Sequence, residues 1–414
     1  MHCFLIALSV SIPNMPTIKP FCALMPADHL RTKVVTQPIE NYSTGEAKSI
    51  ADENDCSFLH LINPEPDHRY LRGSRQELIF KKIAENVEGF IDDQILVKEE
   101  RPSIYIYRVA HDGLAQTGIW TLTHLNDYLE GRIKKHESTV ERREILLADY
   151  LQQTGLDANP VLITYPPNQI IDALIENYTK LDPRLDFTYT DGSKHQVWSV
   201  SNENDLNKII HEFGNMPAVY IADGHHRAAA MAKMQPQIHY FTTVYMNTRE
   251  VKVLEFNRLV KDLGGLDPMT FIFALSNSFL MEKSAVPVKP SQLHQIGMYF
   301  NEQWYLLKPK KETYNEEDPV SVLDVSILQN LILDPLLKIK DPRTDPRISF
   351  EGGRTPVGSL QKKVDDGLFS IAFTLFPPAV AQVIAVADAN GVMPPKSTWV
   401  EPKFLVGLLT NYFN

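Results

Sequence analysis

The sequence is poor in cysteine and in basic charge. Its 414 residues contain three cysteines, Cys3, Cys22 and Cys56, whose spacing fits neither a metal site nor a disulfide framework. We therefore expect a protein of the reducing cytoplasm. Acidic residues outnumber basic ones and give a formal net charge of -10. This balance argues against broad nucleic-acid binding, because such affinity comes mostly from neutralising phosphates.

Long apolar runs are also missing. The short run from Cys3 to Val10 has no basic segment before it and no small-x-small cleavage site ahead of Met15. We interpret residues 1–14 as an over-extended start or a disordered leader, with a secretory signal as the alternative. No later run is long enough to span a bilayer, so we expect no membrane partner.

The remaining composition is that of a folded protein. Hydrophobic residues make up 43% of the chain and charged residues 22%, which is ordinary for globular domains. Strand-like and helix-like segments alternate without a fixed period. We therefore expect an α+β fold with mixed sheets and flanking helices. The pattern predicts one α+β domain over residues 15–265 and a second over residues 266–414.

Local patterns predict several elements. Alternating apolar and polar residues flank the turns at residues 111–113 and 191–192, which indicates two hairpins. The segment that begins at Ser74 has the periodicity of an amphipathic helix. Residues 57–65, "SFLHLINPE", are expected to form a short strand, and the charged run from Asn126 to Gly155 is expected to be mostly helical.

The most informative stretch is "AVYIADGHHRAAAM", residues 218–231, where an apolar strand runs into a helix. Gly224 allows a tight turn and a close approach of the backbone to a ligand. The helix that follows presents N–H groups and the positive end of its dipole, which favour an anion. His225, His226 and Arg227 add donors, and arginine suits bidentate contact with phosphate. The sequence therefore predicts a phosphate or anion site at this turn.

Two other interpretations of this turn are weaker. Asp223 could simply cap the helix, but that leaves three adjacent donors unexplained. A zinc site is the second alternative, but adjacent histidines point about 100° apart on a helix and make a poor chelating pair. We therefore predict no metal ligand set among these side chains.

The same turn resembles the phosphate-binding turn of the ParB/sulfiredoxin superfamily, in which a Gly-x-x-Arg-x-x-Ala pattern opens a helix. Gly224, Arg227 and Ala230 match that spacing. The Asp-Gly-His-His-Arg form is most similar to free serine kinases of the superfamily, which phosphorylate serine with a nucleoside diphosphate or a comparable phosphoryl donor. The resemblance implies a ParB/sulfiredoxin-like core in the N-terminal part of the chain.

From about Lys19 onward, the chain is identified as a member of the family numbered ten-fifteen among domains of unknown function. The segments that carry this resemblance occur in the family's order: "IKPFCALMP", "SFLHLINPE", "KKHESTVERR", "YIADGHHRAAAM", "FNRLV" and "GVMPPKSTWVEPKFLVGL". They cover nearly the whole chain and form a specific set. Membership of this family leaves the activity open.

A second group of candidate residues lies in "KKHESTVERR". The imidazole of His136 beside the carboxylate of Glu137 could take a proton from an alcohol. Charged runs of this kind are usually solvated, so a plain helix start capped by Glu137 is the alternative. The resemblance favours catalysis, because the pattern His-Glu-x-Thr is a signature of the family.

The segment "MPPKST" and Arg258 complete the candidates. Two prolines would hold Lys396, Ser397 and Thr398 in a rigid exposed loop that suits a phosphate oxygen, although a plain turn is the alternative. No phosphate-binding P-loop precedes this lysine. Arg258 lies inside an apolar strand, where it would either pair with a buried carboxylate or face an anion in a pocket. We favour the pocket.

Histidine, carboxylate, arginine and lysine around a helix N-terminus fit phosphoryl transfer, which needs mainly positioning and neutralisation of charge. We therefore expect an enzyme that acts on a small phosphorylated metabolite, with serine or O-phosphoserine as the substrate. A kinase and a phosphatase are both open, since water can replace the serine hydroxyl. The turn at Gly224, Arg227 and Lys396 would hold phosphate.

The other roles follow from the same hypothesis. His225 or His226 would donate to the transferring group or the leaving oxygen. Glu137 or Asp223 would act as the base or as a ligand of Mg²⁺. The sequence does not specify the nucleotide or other phosphoryl donor, or the oligomeric state.

The alternative function is a ParB-like module that senses a nucleotide or binds DNA without catalysis. The acidic balance and the absence of an evident helix-turn-helix with a basic recognition helix argue against it. A sulfiredoxin-like reductase is disfavoured as well, because that family needs a nucleophilic cysteine at the phosphate turn and this chain has none there.

Overall fold

The computed structural model of the protein describes residues 16–62 and 74–413. The leader interpretation of residues 1–14 lies outside these residues, as does the part of the expected strand after Ile62. The chain forms two compact units. The first contains the described parts of Met1–Lys134, Thr139–Glu250 and Pro402–Asn414, and the second contains Lys135–Ser138 and Val251–Glu401.

The strands of the first unit form one large mixed sheet and two short pairs. The strands are β1 (Ile18–Lys19), β2 (Leu24–Pro26), β3 (Leu96–Lys98), β4 (Ile104–His111), β5 (Leu114–His124), β6 (Ile133–Lys134), β7 (Leu156–Asp157), β8 (Val161–Tyr165), β9 (Leu185–Thr188), β10 (Lys194–Val200), β11 (Val219–Asp223), β12 (Tyr240–Asn247) and, at the end of the chain, β21 (Asn411–Tyr412). The order across the large sheet is β6-β11-β8-β12-β5-β4-β10-β9, with β1 added beside β5, and the short pairs are β2 with β3 and β21 with β7.

Helices flank this sheet. They are α1 (Arg31–Val34), α2 (Thr44–Glu53), α3 (Leu59–Ile62), α4 (Ser74–Asp92), α5 (Leu125–Leu129), α6 (Glu141–Thr154), α7 (Gln169–Tyr178), α8 (Glu203–Gly214) and α9 (His225–Lys233). Helices α7, α8 and α9 contribute apolar residues to a core shared with the sheet, among them Ile171, Phe213 and Ala228. A second core lies around α4.

Strand β11 places the predicted turn. It runs parallel to β6 and antiparallel to β8, and the pairing with β8 shifts register between Ile221 and Asp223. Such an irregularity ends regular pairing and redirects the chain. Strand β11 therefore ends at Asp223, and helix α9 begins two residues later at His225.

The second unit is built on a separate sheet. Its strands are β13 (Lys252–Leu254), β14 (Phe256–Val260), β15 (Phe279–Ser284), β16 (Ile296–Phe300), β17 (Gln303–Pro309), β18 (Ile348–Gly352), β19 (Ile371–Leu375) and β20 (Trp399–Glu401). The sheet has the order β15-β17-β16-β19-β14-β18, and β13 pairs with β20. Its helices are α10 (Pro268–Ser278), α11 (Asp324–Leu328), α12 (Val357–Asp365) and α13 (Val380–Asp388).

The α+β class with mixed sheets is confirmed, as are both hairpins and the helix that begins at Ser74. The turns of the hairpins use left-handed backbone at Asp112 and Gly113 and at Gly192, as their sequences indicate. None of the helices within residues 16–62 and 74–413 combines the length and the hydropathy needed to cross a membrane.

Two local predictions are wrong. Residues 59–62 form a turn of helix instead of a strand, because the Ser57 hydroxyl accepts a hydrogen bond from the Leu59 N–H and starts the turn. Short apolar runs do not separate the two structures by pattern alone.

The segment at His136 and Glu137 also does not begin a helix. Helix α6 begins later, at Glu141. The backbone before it is bonded elsewhere: the Met393 N–H donates to the His136 carbonyl oxygen (2.8 Å) and the Val140 N–H donates to Nδ1 of His226 (3.3 Å). These bonds hold the segment in an extended, irregular form.

Candidate functional site

Gly224 forms the turn between β11 and α9. Its φ of 97° lies in the left-handed region, which glycine adopts at little cost. A Cβ atom at this position would lie 2.8 Å from both Nε and Nη2 of Arg227. The guanidinium therefore folds back onto the turn and occupies the place that a side chain at residue 224 would take.

Asp223 holds two cationic side chains at this turn. Its Oδ2 accepts from Nη2 of Arg227 at 2.6 Å, and its Oδ1 accepts from Nζ of Lys403 at 3.0 Å. The Arg227 guanidinium also donates through Nη1 to Oδ1 of Asn159. One carboxylate is thus shared by two cations, beside the positive end of a helix whose first turn contains no acidic residue.

These cations determine the charge of Asp223. Burial by itself would raise its pKa, but the Lys403 ammonium and the Arg227 guanidinium hold the pKa well below its usual range. Asp223 is consequently ionised at neutral pH and is a weak proton acceptor. Its geometry suits it to orient Arg227 and Lys403.

A second carboxylate, Asp157, lies close to the same arginine. It is buried, and its two oxygens accept from the N–H and the hydroxyl of Thr242, both at 2.7 Å. Burial raises the pKa of Asp157 to about 6, against the opposing effect of the Thr242 hydrogen bonds and the Arg227 charge. Asp157 ends β7 and precedes Asn159 by two residues, so the end of this strand and the loop after it supply both groups.

The two histidines of the turn face different surroundings. His225 is buried, whereas His226 is half-buried. The Nδ1 atom of His226 accepts from the Val140 N–H, so a neutral ring carries its proton on Nε2. The two imidazoles therefore differ in their surroundings, although they are adjacent in the sequence.

The described residues do not form a cation site at this turn. Residues 16–62 and 74–413 contain no group of three or more His, Cys, Asp or Glu side chains placed to hold a metal ion. Both oxygens of Asp223 are already paired with cations. The donors here fit an anion better than Mg²⁺.

The second unit brings together most of the other predicted residues. Nη2 of Arg258 donates to the Lys396 carbonyl oxygen at 2.9 Å, and Lys396 has a left-handed φ of 54°. The Ser397 hydroxyl donates to the Pro394 carbonyl oxygen within the same loop. The Met393 N–H, at the start of this loop, bonds to His136.

The predicted residues therefore divide into two sets, one in each unit. The first unit contains Asp223, Gly224, His225, His226 and Arg227. The second unit contains His136, Glu137, Arg258, Lys396, Ser397 and Thr398.

The sequence did not indicate three further residues at the turn of the first unit: Asp157, Asn159 and Lys403. Lys403 follows a proline in "WVEPKF", one of the family segments, which was the available signal. Asp157 and Asn159 lie in "GLDANP", which reads as an ordinary turn. Nothing in that pattern indicates contact with Arg227.

One family model matches most of the chain. Residues 18–326 match the family model described as "Protein of unknown function (DUF1015)". The chain therefore belongs to this family, as its motifs indicated. A search of curated proteins finds no match.

Several solved structures are similar in part. A free serine kinase in complex with AMP is 12% identical, with a TM-score of 0.39, and the match covers 70% of this chain and 91% of that chain. A conserved hypothetical protein from Pyrococcus furiosus is 14% identical, with a TM-score of 0.36, covering 69% and 91%. SbnI with a C-terminal truncation, from Staphylococcus aureus, is 10% identical, with a TM-score of 0.35, covering 68% and 82%.

Proposed function

We propose that the turn of the first unit binds the phosphate group of a small metabolite, and that the protein is a phosphoryl-transfer enzyme. The observation that carries this proposal is the convergence of Arg227 and Lys403 on Asp223 at the N-terminus of α9. Both cations have N–H donors beyond those that Asp223 accepts, and α9 adds the positive end of its dipole. Positive side chains at a helix N-terminus are a common phosphate-binding arrangement.

Asp223 would hold the two cations in place before the ligand arrives. A guanidinium has five N–H donors and an ammonium has three, so both can bond an incoming phosphate while they keep their contacts to Asp223. Cations fixed in advance need little reorganisation when charge develops on the transferring group. This is the main demand of phosphoryl transfer.

The reaction would proceed by displacement at phosphorus. A hydroxyl oxygen forms a bond to phosphorus, the bond from phosphorus to the leaving oxygen breaks, and the hydroxyl proton passes to a base. His225 or His226 would donate to the transferring group or the leaving oxygen. The low pKa of Asp223 makes this carboxylate a poor base.

The substrate is proposed to be serine in the kinase direction or O-phosphoserine in hydrolysis. The likeness of the turn to that of ParB/sulfiredoxin-type free serine kinases supports this choice. A nucleotide or another phosphoryl donor, with Mg²⁺ carried on its phosphates, would complete the kinase reaction. The described residues offer no observation that favours the DNA-binding alternative.

The test is a direct assay on the full chain. Serine with a nucleoside triphosphate, a nucleoside diphosphate or pyrophosphate, each with and without Mg²⁺, is compared with O-phosphoserine alone by ³¹P NMR. In the Arg227→Met variant we expect the turnover to fall by about 10²- to 10³-fold, as for loss of one preorganised donor. The exposed Arg142→Met is the matched control.

Turnover by Arg227→Met at the rate of the control would contradict the role of the turn. The proposal as a whole fails if no substrate turns over and none raises the melting temperature of the native chain.

A further inference from the structure

We propose that the second unit has an oxyanion-binding site of its own, formed by Arg258 and Lys396. The inference does not depend on the phosphoryl-transfer activity proposed for the first unit. It rests on a buried guanidinium for which the described residues supply no carboxylate.

Arg258 is removed from water by its place in the sheet. It lies on β14, paired with Phe350 of β18 and Phe373 of β19. Only 2% of the residue is exposed. On the same face of the strand, Val260 belongs to the apolar core of the unit. The side chain therefore extends from that core toward the loop that holds Lys396.

The guanidinium of Arg258 contacts two backbone carbonyl groups and one aromatic ring. The guanidinium donates to the carbonyl oxygens of Phe256 and Lys396 and lies 5.4 Å from the centre of the Phe350 ring. No carboxylate of the described residues pairs with it. Burial lowers its pKa to about 9, so the group still carries its charge at neutral pH.

A charge in this setting is unfavourable unless an anion compensates it. A neutral amide would be enough to bond two carbonyl oxygens. A guanidinium adds a full positive charge and further N–H donors beyond the two used here. The charge and the unused donors both fit an oxyanion.

Lys396 brings a second positive charge to the ring of Phe256, two residues before Arg258 on β14. Its ammonium lies 5.2 Å from the centre of the Phe256 ring, the residue whose carbonyl oxygen Arg258 bonds. Lys396 is exposed, and its left-handed backbone is held by the bond from Arg258 to its carbonyl oxygen. Arg258 thus positions the loop, and Lys396 gives the site contact with solvent.

The ligand class is a small oxyanion, either a phosphate or a carboxylate. Arginine bonds both groups through its planar fork, and lysine adds a point charge. Inorganic phosphate and acetate are therefore the two probes.

The experiment is a calorimetric titration of the full chain with each probe. We expect Lys396→Ala to weaken binding at one site at least fivefold, and Arg258→Gln to abolish that site. Lys289→Ala, which removes an exposed lysine of the same unit, is the control and should bind as the native chain does. Arg227→Met, in the first unit, should leave the site intact.

The outcomes separate this inference from the proposed function. Binding that survives Arg227→Met and is weakened at least fivefold in Lys396→Ala supports the second site, even if the first unit binds nothing. If phosphate and acetate bind Lys396→Ala with native stoichiometry and affinity, the inference is overturned. Lys396→Ala decides the matter if Arg258→Gln fails to fold, because Lys396 is a surface residue.

Discussion

At the scale of single residues, Gly224 controls the candidate phosphate site. We predict that Gly224→Ala lowers the free energy of unfolding by about 1–2 kcal/mol, because alanine is strained at positive φ and its Cβ would displace the guanidinium of Arg227. Phosphate affinity should fall at least tenfold in calorimetric titration.

Gly89→Ala, in the last turn of α4, is the control, since a Cβ there meets nothing within 4 Å. It should keep or raise the stability measured by urea unfolding, because alanine favours a helix more than glycine does. Equal effects of the two substitutions would show that the conformation of Gly224 is not essential.

Asp324 makes stability depend on pH. It is buried, and its Oδ1 accepts from the His294 N–H at 2.9 Å, whereas its Oδ2 has no hydrogen-bond partner among the described residues. Burial raises its pKa from 3.8 to about 7, against the effect of that hydrogen bond. The folded form therefore holds the proton more tightly than the unfolded form. The resulting stabilisation is complete below pH 3.8 and is lost as the pH rises to about 7.

Asp324→Asn keeps the oxygen acceptor and removes the ionisation. We expect the variant to gain stability relative to the native chain between pH 4 and 7, reaching about 2–4 kcal/mol above pH 7. Urea unfolding across this range measures the difference. The exposed Asp334→Asn serves as the control, and a constant difference between Asp324→Asn and the native chain would refute the assignment.

The spacing of Gly224 and Arg227 could be recognised in the sequence, because the two residues lie within one turn of helix and the guanidinium of Arg227 packs over Gly224. It could not predict Lys403, whose bond to Asp223 joins residues 180 positions apart. For Arg258 the sequence left two interpretations, and the absence of a paired carboxylate among the described residues favours the anion-facing one.

At the scale of elements, the close packing of α9 sets the position of the turn. Ala228 and Ala230 are fully buried, so the helix approaches its neighbours at the distance that a methyl group allows. We predict that Ala228→Leu costs about 1–3 kcal/mol of stability through overpacking and weakens phosphate binding by shifting the helix N-terminus.

Met231→Leu is the matched control for Ala228→Leu, since it changes a buried residue of the same helix with little change in volume. Both effects are read from urea unfolding and from titration with phosphate. Native affinity in a destabilised Ala228→Leu protein would show that the turn tolerates movement of its helix.

Elements with strong periodicity or clear turn residues could be predicted, as α4 and the hairpin of β4 and β5 show. The short segment at residues 59–62 could not, because one hydroxyl of Ser57 decided between helix and strand. The segment before α6 was also mistaken, since its N–H and carbonyl groups bond to residues far along the chain.

At the scale of the whole molecule, the α+β class followed from the sequence, whereas the composition of the two units did not. The first unit takes its last residues from Pro402–Asn414, and the second takes Lys135–Ser138 from an early part of the chain. The local sequence pattern does not show to which unit these short segments belong, because each is compatible with either unit.

The place of Lys403 bears on how the protein acquires its site during synthesis. Strand β21, which pairs with β7, and Lys403, which pairs with Asp223, leave the ribosome after the whole second unit. Until then Asp223 has one of its two cations, and β7 lacks its neighbour. The candidate site of the first unit therefore receives Lys403 only after the whole second unit has been synthesised.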